Sequence, residues 1–293
     1  MRELTLVKFL KYGVYLIALV PLVIFKDFIS PFHFGKVIVF RSIIDVLFVF
    51  YLVLIWHNRF YLPSRNLVFW SVGIFTAVFG LTTLTSVQFY ESFWGYLERM
   101  GGFWSFLHYF GYFIILTSIF RKKEDWLKLV DVALFVGLLS ALYGFGQKTN
   151  IDFFVGSGNR ARIFGTIGNA ALFSGYELII VFLSLTFLFR KDISQAKRSL
   201  YGIIFFISSL AVLMTAVRGS LLGLVVGLFV FVALYVFLSK SRKARLYFTY
   251  LVVLVILLLA GSQIFKDSQF IKSSRYLTRV TDLSLRSYTV QTR

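Results

Sequence analysis

The feature that most constrains the fold is an apolar run from 199 to 238, broken only at Arg218-Gly219. A helix needs about 20 apolar residues to cross the hydrocarbon core of a bilayer, so the run is about twice the required length. Backbone polar groups must be paired within lipid, which leaves helices as the spanning structure here. The run therefore predicts two membrane-spanning helices joined by a tight hairpin at the polar break.

Similar apolar runs recur along the chain, in which 58% of the residues are hydrophobic and the mean hydropathy is +0.81. This composition is typical of a multi-pass membrane protein. We predict an all-α, polytopic protein with about nine transmembrane helices. The predicted spans are 9–26, 37–57, 67–85, 102–120, 128–146, 168–189, 199–217, 219–238 and 247–264. Residues 1–264 would form the transmembrane domain, and 265–293 the start of a truncated extracytoplasmic loop.

Basic residues between the spans predict the orientation, because cytoplasmic loops are enriched in Lys and Arg. Basic clusters precede the first span and alternate regularly with the spans that follow. Their members include Arg2, Lys8, Lys11, Arg59, Arg65, Arg121, Lys122, Lys123, Lys128, Arg190, Lys191, Lys197, Arg198, Lys240, Arg242, Lys243 and Arg245. The N-terminus is therefore predicted to be cytoplasmic and the C-terminal tail extracytoplasmic.

The opposite face also carries cations that this topology does not require. The formal net charge is +18. The external cations outside the tail are Lys26, Lys36, Arg41, Arg99, Lys148, Arg160, Arg162 and Arg218. Cations between membrane spans favour lipid headgroups and lipid-borne phosphate over nucleic acid as partners. This pattern predicts an anionic ligand at the outer leaflet.

The stretch 160–176 concentrates the features of an anion site. Arg162 precedes a segment of small residues that includes Gly165, Thr166 and Asn169 and leads into an apolar helix. Glycine lets a ligand approach the backbone, and Thr166 and Asn169 are good candidates for the helix N-cap. Free N–H groups at a helix start favour phosphate. The alternative is a hydrophilic loop that only caps a membrane helix.

Charged residues within the predicted spans are rare, and each has two interpretations. Arg41 and Asp45 are four residues apart and can pair on one helix face. In the functional interpretation Arg41 and Lys36 bind phosphate while Asp45 orients Arg41; in the other the pair only neutralises itself. Glu177 is either a structural partner for an arginine or a site carboxylate.

Other site chemistries find little support in the sequence. Cys is absent, which excludes disulfides and thiolate chemistry. His33, His57 and His108 are scattered without metal-ligand spacing, so we predict no metal and no cofactor. Gly219, Gly223 and Gly227 recur every four residues, which predicts close approach of a neighbouring helix.

Several motifs in order resemble those of the O-antigen ligase and O-antigen polymerase family of bacterial envelopes. The principal ones are the run 162–169 and, about fifty residues later, Thr215-Ala-Val-Arg218-Gly219. The supporting ones are Gly35-Lys36 with Arg41, then Phe93-Trp94, Glu98-Arg99-Met100 and Gly102 with His108, then Asp282-Leu-Ser284, and finally Thr289-Val-Gln-Thr-Arg293. The resemblance covers essentially the whole chain.

The resemblance implies an inverting, metal-independent glycosyltransferase in the bacterial inner membrane. Such an enzyme takes a glycan from undecaprenyl diphosphate at the outer leaflet and transfers it to lipid A–core or a related acceptor. Arg162 and Arg218 would clamp the diphosphate, with Arg293 as a further loop arginine. Lys36 and Arg41 would add to the binding, with Gly165, Thr166, Asn169, Asp45 and Arg99 in support. Fixed arginines would stabilise the negative charge that develops on the leaving group.

The family's general base, usually a histidine in the large external loop, has no counterpart here. We expect it beyond Arg293, so this chain is predicted to bind the lipid-linked donor without turning it over. An O-antigen polymerase is an alternative within the family, as is a protein-glycosylating relative. A transporter of an anionic solute or lipid is the alternative from another class, although the charges cluster at the outer helix ends and not near the bilayer midplane.

Overall fold

The structure is a computed structural model that describes residues 3–28, 30–158, 162–190 and 192–239, together with 246 and 250. All regular secondary structure in these ranges is helical. The helices are α1 (Glu3–Ala18), α2 (Phe34–His57), α3 (Leu67–Leu84), α4 (Phe89–Trp94), α5 (Phe103–Ile119), α6 (Lys123–Gly146), α7 (Ala170–Leu188), α8 (Gln195–Thr215) and α9 (Arg218–Ser239). Short 3₁₀ turns lie at Val20–Leu22 and Arg59–Tyr61.

Seven of these helices are long and apolar enough to cross a membrane, which agrees with a multi-pass membrane protein. The eighth predicted span corresponds to α9, and the fourth to α5, an apolar helix of 17 residues. The ninth predicted span and the tail from 265 lie outside the described residues.

The first helix lies earlier in the chain than the span predicted at 9–26. Helix α1 begins at Glu3 and ends at Ala18, and Pro21 lies within the 3₁₀ turn that follows. Proline has no N–H to donate and disfavours the α conformation of the residue before it. The α-helix therefore ends ahead of Pro21.

The chain divides into two compact units. Among the described residues, the first comprises those within 3–140 together with 166–168, and the second comprises those within 141–165 and 169–239. The core of the first unit packs one face of α1 against α2 and α5. Leu6, Leu10 and Val14 recur every four residues along α1, and Lys11 pairs with Asp125 of α6 at 2.6 Å.

The core of the second unit packs α7 against α8 and α9. At Gly223 and Gly227 of α9, an added side-chain carbon would contact Leu178 and Phe182 of α7, respectively. The predicted close approach is therefore confirmed at these two glycines. It is wrong for Gly219, where an added carbon would meet no heavy atom within 4 Å among the described residues.

Candidate functional site

In the second unit, Arg162 is attached to the end of the helix that precedes Arg218. Its Nε donates to the carbonyl oxygen of Thr215, the last residue of α8, at 2.7 Å. The N–H of Ile163 donates to the carbonyl oxygen of Met214 at 3.4 Å. Helix α9 then begins at Arg218, three residues after Thr215. Both predicted clamp arginines are thus at the same end of the second unit, and both side chains are partly exposed.

The α8–α9 break lies where the sequence predicted it, to within two residues. Ala216 adopts a left-handed conformation with φ of 51° and ends α8. Val217 precedes the first turn of α9 and has an aliphatic side chain, which cannot cap backbone N–H groups as Asn or Ser would. Because α9 begins at Arg218, the positive end of its dipole lies beside the Arg218 side chain.

The loop that carries Arg162 is fixed by Gln147, a residue that no sequence motif identified. Its buried side chain accepts from the N–H groups of Phe164 and Gly165 at 3.1 and 3.0 Å. Its Nε2 donates to the carbonyls of Val155 and Gly165, both at 3.1 Å. The one sequence feature that could have pointed to Gln147 is its position as a polar residue directly after the apolar helix α6. Its four hydrogen bonds, to three residues, could not be predicted from spacing.

The start of α7 differs from the predicted anion site. Asn169 is the N-cap, as predicted, and its Oδ1 accepts from the N–H groups of Ala171 and Leu172 at 2.8 and 3.3 Å. The N–H of Phe173 donates to the Asn169 carbonyl. The prediction of free N–H groups at this helix start is therefore wrong for these three residues, because the cap and the first helical turn already use them.

Thr166 was the other N-cap candidate, and that prediction is wrong. Its buried hydroxyl is 2.7 Å from Ser140 Oγ in the first unit. Its carbonyl oxygen accepts a hydrogen bond from Lys36 Nζ, which also lies 6.0 Å from the Phe32 ring centroid. Lys36 thus contacts a backbone carbonyl in this structure. Its binding of phosphate stays a prediction.

His33 lies in the loop before α2, close to this lysine. Burial lowers the pKa of His33, and the nearby cations Lys36 and Arg99 lower it further. Its Nδ1 is 3.4 Å from Ser30 Oγ. Glu98 opposes this shift in pKa, and the net effect favours the neutral imidazole.

Arg41 holds the chain between α4 and α5. Its Nη2 donates to the carbonyl oxygen of Met100 at 2.9 Å and to Ser105 Oγ at 2.5 Å. Met100 has a left-handed backbone with φ of 46°, and its carbonyl also accepts from the Ser105 hydroxyl. The guanidinium therefore stabilises an unfavourable turn. A direct phosphate contact by Arg41 stays a prediction.

The predicted pairing of Arg41 with Asp45 is wrong for this structure. Asp45 Oδ1 instead lies 3.1 Å from Nε2 of His108, on α5. The buried His108 ring also places Nδ1 2.7 Å from the Trp104 carbonyl oxygen. The spacing of Arg41 and Asp45 allowed a pair, but each side chain finds its partner on or next to α5.

The remaining predicted site residues lie in separate parts of the chain. Arg99 is exposed and lines a cavity in the first unit. Gly165 adopts φ of 53° and packs against Phe173, so a side chain there would be strained. Arg293 lies outside the described residues, as does Arg160. Among the residues that the structure describes, no group of His, Cys, Asp and Glu side chains could hold a metal ion.

Comparisons of the chain with models of protein families, with curated proteins and with solved structures gave no match.

Proposed function

We propose that this chain is a membrane-embedded glycosyltransferase of the O-antigen ligase type. It would move a glycan from undecaprenyl diphosphate to lipid A–core or a related acceptor, at the outer leaflet of a bacterial inner membrane. The observation that best supports the proposal is the attachment of the Arg162 guanidinium to Thr215, three residues before Arg218.

The arrangement suits a diphosphate because two guanidinium groups from separate elements lie at one end of the second unit. Arg162 comes from a loop fixed by Gln147, and Arg218 begins α9. Arginine can bind phosphate oxygens with two parallel hydrogen bonds, which a lysine cannot do. The positive end of the α9 dipole adds to the attraction.

In this proposal the chemistry supported by the second unit is stabilisation of the leaving group. As the glycosidic bond to the carrier breaks, negative charge grows on the diphosphate. Arginines held in place before the reaction lower the free energy of that charge without reorganising. None of the residues that the structure describes is assigned the role of general base.

The test measures the affinity of the purified, detergent-solubilised protein for undecaprenyl diphosphate. We expect Arg162→Ala and Arg218→Ala each to weaken binding by about tenfold or more, the loss typical of a hydrogen bond to a charged group. Arg162→Lys and Arg218→Lys should also weaken it, because a compact ammonium cannot make the bidentate contact.

Arg198→Ala is the matched control. Arg198 lies in the first turn of α8, about 25 Å along the helix from Thr215 at 1.5 Å per residue. The control should bind undecaprenyl diphosphate as the wild type does. Equal affinity in the wild type and both clamp variants would remove the diphosphate clamp.

A further inference from the structure

The first unit contains a cavity of about 370 Å³ between the last turn of α3, helix α4 and the chain that joins α4 to α5. Its polar lining consists of Thr82, Thr83, Glu91, Ser92, Tyr96 and Arg99. Small-molecule sites typically measure roughly 300–1,000 Å³. The cavity is therefore large enough to take a small polar group.

The cavity is lined by a carboxylate and a guanidinium group that do not pair with each other. Glu91 and Arg99 both line it, and among the described residues neither of them forms an ion pair. The neighbouring Glu91 carboxylate raises the pKa of Tyr96. Both charges thus remain available to a ligand that carries the two opposite charges.

The chain that forms this lining is held in shape. Gly95 has φ of 76° and lies against the backbone of Gly101 and Gly102, where no side chain would fit. Arg41 fixes the carbonyl of Met100, the residue next to Arg99. The lining is therefore preorganised, which reduces the entropy lost on binding.

Helix α3 is long and apolar enough to span a bilayer, so we expect the cavity beside its last turn to lie at the headgroup level. Thr82 and Thr83 lie in the last turn of this candidate membrane span, which ends at Leu84. Beyond it the aromatic side chains of Tyr90 and Trp94 are exposed, as expected in an interfacial belt.

Lipid tails would have an apolar surface beside the cavity. Phe75, Val78 and Leu81 of α3 are each more than half exposed, in a helix long enough to span the hydrocarbon core. The hydroxyl of the exposed Thr82 donates to the Phe79 carbonyl, which leaves its oxygen as an acceptor.

We propose that this cavity binds the headgroup of a zwitterionic phospholipid with a primary ammonium group, of which phosphatidylethanolamine is the probe. Arg99 holds the phosphate, and Glu91 accepts hydrogen bonds from the ammonium group. The Thr82 oxygen adds an acceptor for the ammonium, and the acyl chains lie along the exposed face of α3. This binding is separate from the glycosyltransferase proposal and does not depend on it.

The experiment measures lipid binding to the purified full chain by native mass spectrometry. The lipids are phosphatidylethanolamine, phosphatidylcholine and phosphatidylglycerol with identical acyl chains. We expect the wild type to prefer phosphatidylethanolamine over phosphatidylcholine by about fivefold, because a quaternary ammonium has no N–H to donate to Glu91. Glu91→Gln should abolish this preference and raise the affinity for the anionic phosphatidylglycerol. Arg99→Gln should weaken all three lipids alike, because they share the phosphate.

Two matched controls separate this site from a general charge effect. Glu98→Gln removes a neighbouring acid that lies outside the cavity lining, and Arg65→Gln removes an exposed arginine that lies before α3. Both variants should retain the wild-type preference. Equal binding of phosphatidylethanolamine and phosphatidylcholine by the wild type, or loss of the preference in Glu98→Gln, would overturn the proposal.

Competition with a soluble headgroup distinguishes a lipid-binding site from a site for free solutes. Glycerophosphoethanolamine carries the same charges without acyl chains, so it should fail to displace phosphatidylethanolamine at equal concentration. Displacement at equal concentration would contradict the lipid as the ligand. Monodisperse elution and unchanged thermal unfolding of each variant check that the substitutions leave the fold intact.

Discussion

Glu177 of α7 is completely buried in the second unit, and neither carboxylate oxygen has a hydrogen-bond partner among the described residues. Ser208 of α8 lies beside it and is also buried. An isolated charge in such a place is strongly unfavourable, and an ionisable group within a membrane bundle is rare for that reason. An arginine partner for Glu177 was one interpretation of the sequence, and the structure shows none within these residues.

Substitutions at Glu177 test whether a charge is needed there. We expect Glu177→Gln to leave the melting temperature unchanged or to raise it, because the amide keeps the shape and carries no charge. Glu177→Ala should destabilise the protein by about 2 kcal/mol or more through the cavity it leaves. Thermal unfolding of the purified variants measures both. A Gln variant as unstable as the Ala variant would indicate a counter-ion for the carboxylate.

Residue types and spacing identified the polar side chains that form specific contacts. They did not predict the partners of those side chains correctly. Arg41 and Asp45 satisfy the helical spacing of a pair, yet Arg41 binds Met100 and Asp45 binds His108. These partners lie about sixty residues away in sequence. These contacts form because α2 packs on α5, and no local sequence pattern specifies that packing.

Among the helices, the start of α7 provides a direct measure of capping. Asn169→Ala should lower the free energy of unfolding by about 1 kcal/mol, because two backbone N–H groups lose their acceptor. Asn169→Asp should retain the stability, since its carboxylate accepts the same bonds and favours the positive helix end. Thermal unfolding of the two variants distinguishes these effects. Equal loss in both would contradict a capping role for this side chain.

Most helices could be predicted because each needs only an apolar run of sufficient length and a local end signal. The predicted span 168–189 and α7 (Ala170–Leu188) agree to within two residues, because Asn169 marks the start. The short α4 (Phe89–Trp94) was not predicted, since six residues give too little periodicity to recognise. Pro21 is the local signal for the early end of α1, because proline disfavours the α conformation of the residue before it.

For the whole molecule, the apolar runs were sufficient to predict an all-helical membrane protein. Regular secondary structure in the described ranges is helical, and seven helices are long and apolar enough to cross a membrane. The division into two units was not predicted, because it depends on contacts between distant segments. Lys36 and Thr166, for example, are 130 residues apart and lie in the same unit, while the neighbouring Gly165 belongs to the other. No pattern of hydropathy encodes such a boundary.

The orientation of the whole chain decides whether its arginines can reach a donor at the outer leaflet. The positive-inside pattern predicts that the loop before α7 is external and that the loop after it is cytoplasmic. The chain has no cysteine, so Ser157→Cys and Asp192→Cys each introduce a single thiol, on either side of α7. In intact cells a membrane-impermeant maleimide should label the first variant, and it should label the second only after permeabilisation.

The reverse result would place Arg162 on the cytoplasmic side and contradict an outer-leaflet reaction. Labelling of both variants in intact cells would show that α7 does not cross the membrane.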